Sequence, residues 1–203
     1  MRWALPLGLL ILTAATGCSA GHRSSAGAVI YADGRIGPLR VDRSNRADVI
    51  AFAGRPDAER RGVEYGSTPY LALGYSCSAK AKDDAFPVLE TPAAGRTGPD
   101  CKTVFWLNRR TGRLGDFYTA SARFSESHGV RIGMRTARAE RLVHELVYVG
   151  CEANIQLGSV TIAFAGGSTR KLTGSRGLHL VGGHVYAFAV HSSRNDIGIF
   201  DCL

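Results

Sequence analysis

The chain has 203 residues, 25 Lys and Arg against 17 Asp and Glu, a formal charge of +8 and 45% apolar residues. Those fractions are ordinary for a globular protein, and 25 glycines among short apolar runs favour strands joined by turns over a helical bundle. Arginine supplies 21 of the 25 cations; nucleic acid is the usual partner at such a pI, but an exported chain without a nucleic-acid motif argues against it.

Residues 1–17 read as a signal peptide. Arg2 is a minimal positive start, and the 15 residues from Trp3 to Gly17 carry no charge. A spanning helix needs about 20. Ala15-Thr16-Gly17-Cys18 resembles the lipobox of bacterial lipoproteins, with Ala15 where Leu is usual. That resemblance implies lipidation of Cys18 and a membrane anchor needing no further signal, because two or more acyl chains hold firmly. Cleavage without lipidation, leaving a secreted protein, is the alternative. Residues 18–30 read as a flexible linker. Outside the cytoplasm, the basic surface would either be solvated without a specific polyanion partner or be drawn weakly to anionic lipid or wall polymers. Without Cys18, the cysteines are Cys77, Cys101, Cys151 and Cys202, an even set in a compartment that permits disulfides. Four cysteines allow three pairings. No C-x-x-C occurs, so structural zinc is not expected, and no motif in the chain calls for another cofactor.

Two segments are similar at a constant offset: GPLRVDRSNRADVI at 37–50 and GVRIGMRTARAERL at 129–142. Each is predicted to start a helix, with Ser44 and Thr136 as N-caps and Asp48 and Glu140 near the positive end. Val49, Ile50 and Phe52 supply the apolar face of the first helix; Leu142, Val143, Leu146 and Val147 supply that of the second. Gly54 and Pro56 should stop the first helix, and Gly150 the second.

Strands follow each helix. In TPYLALGYSC, Leu71, Leu73, Tyr75 and Cys77 share a face; CKTVFWLNRRTGRLGDFYTAS is a hairpin turning at 109–112. Cys77 ends one strand and Cys101 begins the next, so antiparallel pairing would bring them together around a loop of 23 residues, 78–100. After the second helix come ANIQLG, SVTIAFAG, GHVYAFAVHSS and IGIFDC, opened by Cys151 and closed by Cys202. One bridge per unit, Cys77–Cys101 and Cys151–Cys202, is the economical pairing. The expectation is an α+β fold of two tandem repeats, 31–122 and 123–203, each with one or two short helices on an antiparallel meander.

The pattern G-x-x-x-G-M-[RST]-x-x-x-[AV]-[ED], carried by Gly129, Gly133, Met134 and Glu140 with Thr136 inside it, resembles the SmpA/OmlA (BamE-like) lipoproteins. In the first copy Val41 and Asp42 replace the second Gly and the Met. Two such units in tandem, each with a disulfide, resemble the β-lactamase inhibitor proteins. The resemblance implies protein binding without catalysis, through a concave sheet face and protruding loop or as a scaffold for a membrane machine.

Catalytic signatures are weak. Ser168-Thr169-Arg170-Lys171 spells S-x-x-K, but it lies in a Gly-rich stretch between strand patterns and reads as a hairpin loop. His179, His184 and His191 have no zinc spacing. Gly74-Tyr75-Ser76-Cys77-Ser78 lacks the final Gly of a nucleophile elbow. Binding features are stronger. Phe86, Val88 and Leu89 form an apolar cluster in the 78–100 loop, and Arg109, Arg110 and Arg113 crowd one hairpin tip. Trp106 and Tyr118 should face away from Phe105 and Phe117, either towards a partner or against the helix layer. The expected function is a lipid-anchored, non-catalytic binding module of inhibitor or scaffold type. Its partner would be another envelope or extracellular protein. The rival is a cell-envelope hydrolase that gathers Ser168, Lys171 and a histidine into one cleft.

Overall fold

Both predicted helices form, and both are short. In the computed structural model, which describes residues 27–64, 68–78, 101–150, 153–171 and 178–195, α1 spans Arg46–Ala53 and α2 spans Thr136–Val143. The caps differ from expectation by one residue. Asn45 caps α1 by accepting from the amides of Ala47 and Asp48, and Asp48 returns the bond to the Asn45 amide at 2.8 Å. Ser44 instead accepts from the Arg40 amide at 3.0 Å. At α2, Arg135 holds the cap position without a side-chain bond, and Thr136 is already inside the helix and buried. Gly54, with φ 86°, ends α1 as expected. His144, at φ 59°, ends α2 well before Gly150.

The chain is mostly β. This corrects the α+β expectation: the halves are not two separate helix-on-sheet repeats. The strands are β1 (Ala28–Tyr31), β2 (Arg35–Ile36), β3 (Leu39–Arg40), β4 (Ala58–Glu64), β5 (Thr68–Cys77), β6 (Cys101–Asn108), β7 (Arg113–Thr119) and β8 (Phe124–Glu126). Then follow β9 (Tyr148–Val149), β10 (Ala153–Leu157), β11 (Val160–Ala165), β12 (Ser168–Lys171), β13 (Leu178–Val181) and β14 (His184–Val190). A ten-stranded antiparallel sheet has the order β12-β13-β9-β10-β11-β14-β7-β6-β5-β4. A four-stranded sheet has the order β3-β2-β1-β8, with β1 and β8 parallel. The reason is the β7–β14 pairing, with Phe188 opposite Thr119 and Val190 opposite Phe117. An unpaired edge strand exposes a row of donors and acceptors; here each half's edge satisfies the other's.

Packing follows the same continuity. Leu73, Phe105, Phe117, Ile162, Phe188 and Val190 line one face of the large sheet. Both helices and the small sheet cover that face through Val49, Ala139, Val143, Ile30, Ile36 and Phe124, giving one core drawn from both halves. Phe105 sits at its aromatic centre, 6.5 Å from Phe52, 5.7 Å from Tyr75 and 4.8 Å from Phe117. The Tyr75 hydroxyl donates to the Gly54 carbonyl at 3.2 Å, tying β5 to the end of α1. Burial, helped by the carboxylates of Glu59 and Asp57 and opposed by Arg46, pushes the Tyr75 pKa up to about 12. A raised folded-state pKa stabilises the fold below the unfolded value of 10.0, and that contribution is lost as pH climbs through about 12. In a spectrophotometric titration the Tyr75→Phe variant should therefore lack one late-ionising phenol. Its stability should fall less steeply than the wild type's above pH 10.0.

Candidate functional site

The hairpin between β6 and β7 is the most exposed basic feature that sequence reasoning identified, and the structure surrounds it with further arginines. Asn108, at the end of β6, turns the chain by accepting from the amides of Arg110 (2.9 Å) and Thr111 (3.4 Å). Arg109, Arg110 and Arg113 are all exposed on this tip. The Arg113 guanidinium donates to the Arg43 carbonyl at 2.6 Å, and the Leu114 amide donates to Ser44, so the loop carrying Arg43 lies against the hairpin. Arg194 reaches the same end through a part-buried polar tie. The Thr111 hydroxyl donates to Asn195 Oδ1 at 2.7 Å, Asn195 Nδ2 donates to Asp42 Oδ1 at 2.7 Å, and the Ser192 hydroxyl donates to that same oxygen. Ser192 Oγ in turn accepts from the amides of Arg194 and Asn195. Asp42 holds this position with φ 66°.

Arg43, Arg109, Arg110, Arg113 and Arg194 thus converge from three segments, and Asp42, the carboxylate amid them, is occupied by Ser192 and Asn195. Arg35 and Arg40, on the neighbouring β2 and β3, are instead matched by Asp33, at 3.0 and 2.6 Å. Slight burial raises the Asp33 pKa, but the hydrogen bonds from Arg40 and Arg35 outweigh it and leave it below the usual carboxylate value. A cleft of about 510 Å³ opens beside Arg43, walled by Arg40 and Phe52. The arrangement presents forked, permanently charged donors that fit carboxylate or phosphate groups.

The other predicted contacts fall elsewhere. Trp106 and Tyr118 are buried, 3% and 2% exposed, rather than open to a partner. They do point away from Phe105 and Phe117, but into a second apolar layer with Ala72, Val104, Ala163, Ala187 and Ala189. The runs Val104–Leu107 and Phe117–Tyr118 are apolar on both faces because β6 and β7 lie inside the sheet. Phe86, Val88 and Leu89 lie outside the described residues, as do Cys18, Cys151 and Cys202. The Cys77–Cys101 disulfide is present, as an in-register pair on β5 and β6.

Ser168 and Lys171 both sit exposed on β12, an outer strand of the large sheet, and at a spacing of three they project to opposite sides. His179 on β13 pairs with Arg170, whereas His184 and His191 bracket β14. The predicted hydrolase cleft is therefore not assembled from these groups. Among the described residues no three His, Cys, Asp or Glu side chains cluster as metal ligands.

Sequence reasoning missed one part-buried polar network. Asp116 Oδ1 lies 3.6 Å from His191 Nδ1, His191 Nε2 lies 3.2 Å from the Thr161 hydroxyl, and that hydroxyl donates to Gln156 Oε1 at 2.6 Å. The order carboxylate, imidazole, hydroxyl is that of a nucleophile relay. Here, however, Thr161 is 2% exposed and its hydroxyl proton is committed to Gln156, so the network ties β7, β11 and β10 together instead. Its members come from strands distant in sequence, and no local motif marks them.

No protein-family model matches the chain, and no curated protein matches it. Among solved structures, the chain is similar to the crystal structure of the uncharacterized protein yfeY from Escherichia coli. Identity is 12% and the TM-score 0.47, over 80% of this chain and 99% of that one.

Proposed function

We propose that this chain is an extracytoplasmic lipoprotein, anchored through Cys18, that binds another envelope or extracellular protein without catalysis, as an inhibitor or a scaffold. The observation that carries this reading is the arginine-rich end. Five exposed arginines from three segments are brought to one end by part-buried polar ties among Thr111, Asn195, Asp42 and Ser192. A partner face rich in carboxylates is the complement it fits. The Cys77–Cys101 disulfide supports an oxidising compartment, and the resemblance of the Gly129–Glu140 pattern to that of the BamE-like lipoproteins points the same way.

Crosslinking from the cell surface with mass-spectrometric identification tests the reading. The captured partner should be lost or reduced about tenfold when Arg109 and Arg110 are both changed to Glu, because like charges then face its acidic surface. Unchanged capture by the Arg109→Glu/Arg110→Glu variant would move the contact surface elsewhere. Turnover of a cell-wall or peptide substrate by the purified mature protein would overturn the non-catalytic role.

A further inference from the structure

The arginine-rich end lies at one end of β7; the described chain enters at the other. A Cβ on Gly27 would stand 2.8 Å from the Arg123 carbonyl oxygen, beside the turn that follows β7. Cys18 is nine residues before Gly27, a span of at most about 30 Å. A second group of arginines gathers on this side. Arg131 bridges Ser125, and Arg135 bridges His184, the first residue of β14. Because β14 runs antiparallel to β7 with Phe188 opposite Thr119, His184 lies beyond the Thr119 end, on the side where Gly27 enters. From Arg135, α2 continues with Arg138 and Arg141.

The helix is sharply two-sided. Thr136, Ala139 and Val143 are buried, whereas Arg131, Arg135, Arg138 and Arg141 are all exposed. Among the described residues none of these four joins an ion pair. Of the nearby acids, Glu140 is engaged by the Val147 amide at 3.0 Å, and Glu145 stands exposed past the helix end.

We propose that the face formed by Arg131, Arg135, Arg138 and Arg141 seats on the anionic lipid headgroups of the membrane that holds Cys18. The proposal rests on the lipoprotein reading above and deepens it by giving the molecule a polarity: α2 faces the membrane and the β6–β7 hairpin faces outward. Arginines close to an anionic leaflet are attracted to it, and the attraction fades over about 10 Å at 0.1 M salt. A tether of at most about 30 Å confines the face to the neighbourhood of the leaflet, so that it meets the headgroups repeatedly and can settle within that range, whereas a free phosphate ion is not confined there.

The acylated full chain, reconstituted on phosphatidylcholine vesicles with or without phosphatidylglycerol, provides the test. Arginine modification by phenylglyoxal is read peptide by peptide. Phosphatidylglycerol should slow modification of the four arginines at least about fivefold, an effect high salt removes, while Arg109 and Arg110 react equally on both vesicles. Equal rates at the four positions, matching protection of Arg109 and Arg110, or protection by inorganic phosphate alone would each overturn the proposal. Intact mass reports acylation of Cys18 separately. If Cys18 is unmodified, the anchor in the functional reading fails, and the same unacylated chain decides the face by cosedimentation with these vesicles. Binding that needs phosphatidylglycerol and is lost in R131E/R135E/R138E/R141E, but kept when the four become Lys, supports the face; binding indifferent to the charge reversal sinks it.

Discussion

Changing Cys77 and Cys101 together to Ala should cost about 3 kcal/mol of stability, the chain-entropy value for a closed loop of this size. For a domain of this length that corresponds to a fall of about 6 to 12 °C in the thermal midpoint. The two cysteines are directly opposed on β5 and β6, with Cα atoms 3.8 Å apart and 24 positions apart in sequence. The bridge thus removes freedom from the unfolded chain while closing a contact the sheet already makes. Gly74 belongs to the same device: a Cβ there would lie 2.7 Å from Cys101 Sγ and 2.9 Å from Cys77 Sγ. Gly74→Ala should therefore leave more free thiol on these two cysteines, read by alkylation and peptide mass, and lower the midpoint in the same direction. A double-cysteine variant that melts within about 2 °C of the wild type would show that the bridge contributes little.

That bridge could be anticipated because its determinants are local: a strand ending at Cys77, another beginning at Cys101, and antiparallel pairing between them. The β6–β7 hairpin was legible for the same reason, since Arg109–Gly112 separates two apolar runs and forms the turn. Helix starts were legible to within a residue, and the error is chemical. Ser44 and Asn45 are both good caps, and Ser44 was drawn instead to the Arg40 amide. What did not show were partners far apart in sequence. Nothing near Asp42 announces Ser192 and Asn195, 150 and 153 positions away, so Arg194 could not be assigned to the arginine-rich end. For Trp106 and Tyr118, alternation tells which face each residue takes and leaves open whether that face is covered by the protein itself or by a partner. The similarity of 37–50 to 129–142 suggested two self-sufficient units for a related reason: internal similarity describes each half alone, whereas the β7–β14 pairing exists only between them.

The fused sheet has a measurable consequence. Phe105→Ala should cost about 3 to 5 kcal/mol, as large aromatic truncations in a closed core do, and lower the midpoint by about 6 to 20 °C. Phe105 is fully buried on β6, and its neighbours Phe52, Tyr75 and Phe117 come from α1, β5 and β7. All four belong to residues 31–122, so two independent repeats would confine the damage to that half. One core and one continuous sheet predict that it spreads. From Phe117 the contacts pass to Phe124 at 5.3 Å and, across the β7–β14 pairing, to Phe188, Val190 and Ile162. Native-state hydrogen exchange separates the outcomes, since slowly exchanging amides open only in the global transition. In Phe105→Ala the most protected amides of β11 and β14 should lose as much protection as those of β5 and β6, with a single melting transition. Loss confined to β5, β6 and β7 would mean that the two halves open separately and that the β7–β14 seam carries little of the cooperativity argued for it.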